Sequence, residues 1–100
     1  MGRSQRQKGY RTEYNLVRYL NDAGLDAKRV PLSGATEFAK GDIVVEGLVG
    51  EVKARHDGFK QIYKWLDGKD LLFLKADYRT MLVVMDLDKF IELLASTKSE

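Results

Sequence analysis

Cysteine is absent from the 100-residue chain. That removes disulfides and thiolate metal sites, and it suits a reducing compartment. No apolar run reaches the roughly 20 residues a membrane-spanning helix needs, and the first residues lack the apolar core of a secretory signal. Internal repeats, linkers and low-complexity blocks are also missing. The expectation is a soluble, cytoplasmic protein with no membrane partner. Acids are missing from the first eleven residues, MGRSQRQKGYR, which carry Arg3, Arg6, Lys8 and Arg11. A basic arm of this kind suits phosphate backbones, because each neutralised phosphate releases counterions. A solubilising tail is the plainer alternative.

What is present describes a folded domain. The chain is 44% hydrophobic and 10% aromatic, enough for one modest core. A net charge of +2 hides an asymmetry: residues 1–40 hold eight Lys or Arg against four acids, and the rest hold nine against eleven.

Apolar residues recur at helical spacing from about Gly9 to Ala23, and Gly24 supplies a stop. DAKRVPL reads as a short strand ending at Pro31, and LSGATEFAKG as a loop of small residues. GDIVVEGLVGEVKAR, residues 41–55, reads as a hairpin. FKQIYKWL, residues 59–66, is helical in pattern, with core packing the expected role of Phe59, Tyr63 and Trp65. Two apolar strands follow, DLLFLKA and TMLVVMD, with a polar turn at residues 76–79. Asp86 or Asp88 can cap a last helix, KFIELLAS. The order α-β-β-β-α-β-β-α predicts a single α/β domain in which helices flank a mixed central β-sheet. Its expected limits are 9–96, between a basic arm at 1–8 and a polar tail at 97–100.

The carboxylates carry the chemical signal. At about 100° per residue, Glu13 falls in the middle of the apolar face formed by Tyr10, Leu16, Val17 and Leu20. An ionised carboxylate there is costly unless it is paired or bound to a cation. In the hairpin, a two-residue loop at Gly47-Leu48 sets Glu46 opposite Val49, Val44 opposite Glu51 and Asp42 opposite Lys53. A four-residue loop from Glu46 to Val49 keeps the same register. Asp42, Glu51 and Lys53 then share one face, with the two acids diagonal neighbours. Close carboxylates repel unless something positive lies between them. An Asp42–Lys53 ion pair answers this structurally. A divalent metal answers it with chemistry: hard oxygen ligands suit Mg²⁺, with Mn²⁺ a substitute, and metal-bound water can attack a phosphodiester. Lys53 would orient that water or stabilise charge on the phosphorus.

Glu13, Asp42 and Glu51-Val52-Lys53, on a helix, a strand and the next strand, resemble the PD-(D/E)xK nuclease core, the core of restriction-endonuclease-like folds. Lys8-Gly9 ahead of Glu13, the segment Arg29-Val30-Pro31-Leu32-Ser33-Gly34, Asp42 and Glu51-Val52-Lys53 together resemble archaeal-type Holliday junction resolvases and their phage-encoded relatives. The resemblance spans residues 8–55. It implies a metal site of Glu13, Asp42 and Glu51 with the Val52 carbonyl as a further ligand, Lys53 as catalytic lysine, and Ser33 as a catalytic aid in the dimer. Two positions depart from the family pattern: Gly41 stands where proline often precedes the aspartate, and Tyr14 where an arginine often follows the glutamate.

The function this implies is Mg²⁺-dependent hydrolysis of paired phosphodiesters in four-way DNA junctions, with 5′-phosphate products and no small-molecule cofactor. A twofold-symmetric junction calls for a homodimer. Lys8, Arg11, Arg29, Lys40, Arg55 and Lys60 are the candidate DNA-backbone contacts. If the chain is phage-encoded, its compartment is the host cytoplasm. Three alternatives stand beside this: a nuclease of the same core acting on duplex, flap or single-stranded DNA, a non-catalytic structure-selective DNA-binding subunit, and an interaction domain whose charges are surface ion pairs. Gln61 reads as a surface helix residue and His56 as a turn residue.

Overall fold

The computed structural model describes residues 2–30 and 42–98, with the side chains of the first helix described from Arg11 onward. Three helices and five strands lie among them, in the expected order: α1 (Gly2–Asp22), β1 (Ala27–Arg29), β2 (Ile43–Val45), β3 (Leu48–Gly50), α2 (Lys60–Leu66), β4 (Leu72–Leu74), β5 (Leu82–Val84) and α3 (Leu87–Lys98). The protein is α/β, and it divides into two compact units, Met1–Ala54 and Arg55–Glu100.

In the first unit, α1 begins at Gly2, seven residues before the apolar periodicity does. Arg, Gln and Lys are strong helix formers, so the helix continues through the basic segment. It ends in a Schellman motif. Gly24 adopts φ +93°, Leu25 N–H donates to the Leu20 carbonyl at 3.1 Å, and Gly24 N–H donates to that of Asn21 at 3.0 Å. Leu20 and Leu25, brought together by this turn, are both buried. Asn21 Oδ1 then accepts from Ala27 N–H at 2.9 Å, which fixes the start of β1 relative to the helix end.

β1, β2 and β3 form an antiparallel meander in that spatial order. Alternation puts Ala27, Arg29, Ile43 and Val45 on one face. Ala27, Ile43 and Val45 join Leu20 and Leu25 as the buried core of this unit. The hairpin register differs from the expected one. Val45 pairs with Leu48, Val44 with Val49 and Ile43 with Gly50, so the loop is Glu46-Gly47. Both loop residues have positive φ, 49° and 81°, as a type I′ turn requires, and Gly47 at the second position suits it better than the type II′ alternative. Two bonds hold Glu46 in its left-handed conformation: its N–H donates to the Asp26 carbonyl at 2.8 Å, and its Oε2 accepts from Asp26 N–H at 2.7 Å.

The second unit holds α2, the β4–β5 hairpin and α3. β4 and β5 pair antiparallel, Phe73 opposite Val83. Arg79 N–H donates to the Ala76 carbonyl at 3.2 Å, closing the turn expected at 76–79. Asp86 accepts Phe90 N–H at the start of α3, so it occupies the capping position rather than Asp88, which lies in the first turn. Leu66 is buried, but Tyr63 and Trp65 are exposed, contrary to the core role expected for them. Helical spacing alone does not show which turn of so short a helix is covered.

Every pairing among the described residues is antiparallel, in one three-stranded and one two-stranded sheet, where a single mixed sheet was expected. Short connections favour this outcome. The two-residue loop between β2 and β3 can join only antiparallel neighbours, whereas parallel strands need a crossover.

Candidate active site

All four acidic and basic residues of the PD-(D/E)xK pattern fall in the first unit. Glu13 comes from α1, Asp42 directly precedes β2, and Glu51 and Lys53 directly follow β3. The meander brings the last three to one end of the hairpin. Regular continuation of the ladder would set Asp42 opposite Glu51. Instead Asp42 N–H donates to the Gly50 carbonyl at 2.8 Å, one residue short, so the strict alternation of β2 ends at Ile43. The Asp42 side chain turns to the other strand: its Oδ2 accepts from Val52 N–H at 2.8 Å. A carboxylate–amide bond of this kind is charge-assisted, and it fixes the Asp42 carboxylate against the middle residue of Glu51-Val52-Lys53.

Lys53 Nζ lies 3.3 Å from Glu51 Oε2. The Asp42–Lys53 pair of the structural alternative is therefore replaced by a Glu51–Lys53 pair. Both side chains are more than half exposed, so this contact stabilises the fold by at most about 1 kcal/mol. Acid and lysine emerge together into solvent, on either side of the residue whose amide binds Asp42.

Glu13 is half-buried beside Leu16, Val17 and Leu20, as its place on the helical face implied. Its charge is met by Arg29, whose Nε donates to Oε1 at 3.1 Å. Sequence reading assigned Arg29 to DNA and Glu13 to a metal site with Asp42 and Glu51. Arg29 shares a sheet face with Ile43 and that face packs on α1, a meeting of faces that local sequence pattern does not show.

Oxygen donors of the type Mg²⁺ prefers are present: Asp42 Oδ1, the Glu51 carboxylate and the Val52 carbonyl. The Val52 amide engages only Asp42 Oδ2, which leaves the other oxygen for a ligand. Glu13 does not join them, however: among the described residues, no three acidic or imidazole side chains converge in a group that could hold a metal ion. Asp42 is tied to the Val52 amide, Glu51 pairs with Lys53, and Glu13 is held by a guanidinium.

The remaining candidates are scattered. Arg11 and Arg55 are exposed, and exposed Lys60 lies 3.5 Å from Asp57. Lys8 lies on α1 ahead of the described side chains, and Ser33 and Lys40 fall outside the described residues. Gln61 and His56 are exposed, in keeping with the surface roles expected of them. Compared with known proteins, the chain matches no family model, no curated protein and no solved structure.

Proposed function

We propose that this chain is a metal-dependent DNA endonuclease with a restriction-endonuclease-like PD-(D/E)xK core, acting on four-way junctions as a homodimer. The observation that carries this reading is the 2.8 Å bond from Val52 N–H to Asp42 Oδ2. It joins an aspartate before one strand to an acid-x-lysine segment after the next, which is the arrangement the PD-(D/E)xK chemistry needs. The same bond also gives the Val52 amide an acceptor where the ladder ends, so it serves the fold as well as the proposed site.

In this reading Asp42, Glu51 and the Val52 carbonyl hold Mg²⁺, with Mn²⁺ a substitute. When bound there, such an ion would acidify a water and neutralise charge on the phosphate. Lys53 donates to the water or to a non-bridging phosphate oxygen, and its ammonium stabilises the charge that builds on phosphorus. The Val52 amide keeps the Asp42 carboxylate from rotating away from the reacting group. Arg11, Arg55 and Lys60, with Lys8 and Lys40, hold the DNA backbone, so that selection rests on junction shape rather than base sequence. Ser33 is retained as a catalytic aid on the strength of the resemblance alone.

The pairing of Glu13 with Arg29 and of Glu51 with Lys53 favours a second reading, in which the core binds junctions but does not cut them. Labelled four-way junction, linear duplex and flap, incubated with Mg²⁺ or with EDTA, separate the two. The expected result is paired nicks in the junction alone, dependent on Mg²⁺ and lost in Glu51→Ala. Cleavage of all three substrates would keep the nuclease and remove the junction preference. Tight junction binding without cleavage in either Mg²⁺ or Mn²⁺ would establish the binding subunit instead.

A further inference from the structure

The turn between β4 and β5 carries a side chain that its geometry does not call for. Among the described residues, Tyr78 is the most exposed large hydrophobic, with its whole surface open to solvent. It also adopts φ +61°, in the left-handed region. The bond from Arg79 N–H to the Ala76 carbonyl makes it the third residue of a four-residue turn. Glycine or asparagine fills a third position of positive φ at little cost, whereas a bulky aromatic there is an outlier. Burial does not compensate, because Tyr78 is fully exposed. A glycine would make the same turn with less strain, so the tyrosine is not explained by the fold.

The neighbours of Tyr78 are charged. Lys75 and Arg79 flank it, both exposed, against one acid, Asp77. Lys75 Nζ donates to the Ala76 carbonyl at 2.7 Å, which holds the ammonium at the turn and leaves it further donors. An exposed ring between cations is a combination that holds nucleic acid: the ring stacks on a base, and the cations meet phosphates.

Resting on the junction-nuclease reading, we propose that this turn is a branch-point contact. Tyr78 stacks on a base pair there, and Lys75 and Arg79 engage the phosphates beside it. Base pairs inside a linear duplex are stacked on both faces and offer the ring nothing. Where the arms of an open junction meet, the last base pair of each arm has lost a neighbour, and its face is free. Stacking tolerates every base, so the contact selects branched over linear DNA without reading sequence. Asp77 offsets part of the positive charge, so the ring supplies the selectivity.

The test is binding of the full chain to a fluorescent four-way junction and to a linear duplex of matching sequence. All DNA ends are closed by the same hairpin loop, and EDTA prevents metal-dependent cutting. A second junction carries 2-aminopurine at the branch point, where its emission responds to stacking. Tyr78→Ala should bind the junction about tenfold more weakly, and the duplex within about twofold of the parent. It should also lose the 2-aminopurine response. Tyr78→Trp keeps a ring and should bind the junction within about twofold of the parent. Lys75→Ala and Arg79→Ala should each lower the salt slope of junction binding by about one. Tyr78→Gly should lose junction affinity as alanine does, yet raise the urea midpoint, since it removes the left-handed strain.

Undiminished junction binding in Tyr78→Ala, an equal loss on junction and duplex, or an unchanged 2-aminopurine response overturns the proposal. A lower urea midpoint in Tyr78→Gly would give the tyrosine a structural role and overturn it as well. In each of these cases the parent still binds junctions, so the nuclease reading stands and only the contact falls. If the parent binds neither DNA, both fall together.

Discussion

Asp42 has two duties that can be pulled apart by substitution. Its carboxylate anchors the Val52 amide, and in the proposed chemistry the same carboxylate ligates a metal. Asparagine keeps an oxygen that can accept from Val52 N–H, whereas alanine keeps nothing. Asp42→Ala should therefore cost about 1–3 kcal/mol of stability, as expected for a lost bond to a charged group. Asp42→Asn should cost well under half of that. Junction cleavage, by contrast, should fall at least about a hundredfold in both, since even outer-shell partners of a metal are worth 10–100-fold. Urea unfolding and initial cleavage rates check the two halves separately. Equal stability for alanine and asparagine would mean that the Val52 bond contributes nothing to the fold.

At the scale of the element, the β2–β3 hairpin decides which side chains meet. Gly47 sits at φ +81° with open space where a Cβ would be. Gly47→Ala therefore tests backbone strain alone, and it should destabilise the protein by about 1–2 kcal/mol. A fall in the urea midpoint with an unchanged slope checks this. The same hairpin shows how far the sequence could be read. The element order was legible throughout, because each segment carries its own periodicity and its own stop: Gly24 after α1, Asp67-Gly68 after α2, Asp86 before α3. The side-chain parity was legible within the paired strands, but not at Asp42, where the alternation ends. The register was not, since a turn at Glu46-Gly47 needs a glutamate in the left-handed region. A two-bond tie to Asp26, 20 residues away in sequence, helps hold it there. Pairing of strands over distance, and partners such as Arg29 for Glu13, depend on which faces meet. Local pattern does not encode that.

For the molecule as a whole, the proposed substrate sets the assembly. A four-way junction is twofold symmetric and requires two matched cuts, so two copies of the site must act together. Sedimentation equilibrium at micromolar concentration should return about twice the 11.4 kDa of one chain. A monomeric mass at concentrations where junctions are cut in pairs would remove the dimer from the proposal. Within each chain, the acids are positioned by short-range devices: a Schellman turn, a type I′ loop and one bond from Val30 N–H to the Asp42 carbonyl at 2.9 Å. That last bond pins together the two ends of the segment 31–41, so that whatever the segment does, the chain leaves and re-enters the sheet at fixed points. Closing a longer excursion between fixed points costs only about 0.6 kcal/mol per doubling of its length. Length changes within residues 31–41 should therefore leave Asp42 where it is, while exchanging Ser33 or Lys40 tests their proposed roles separately from the fold.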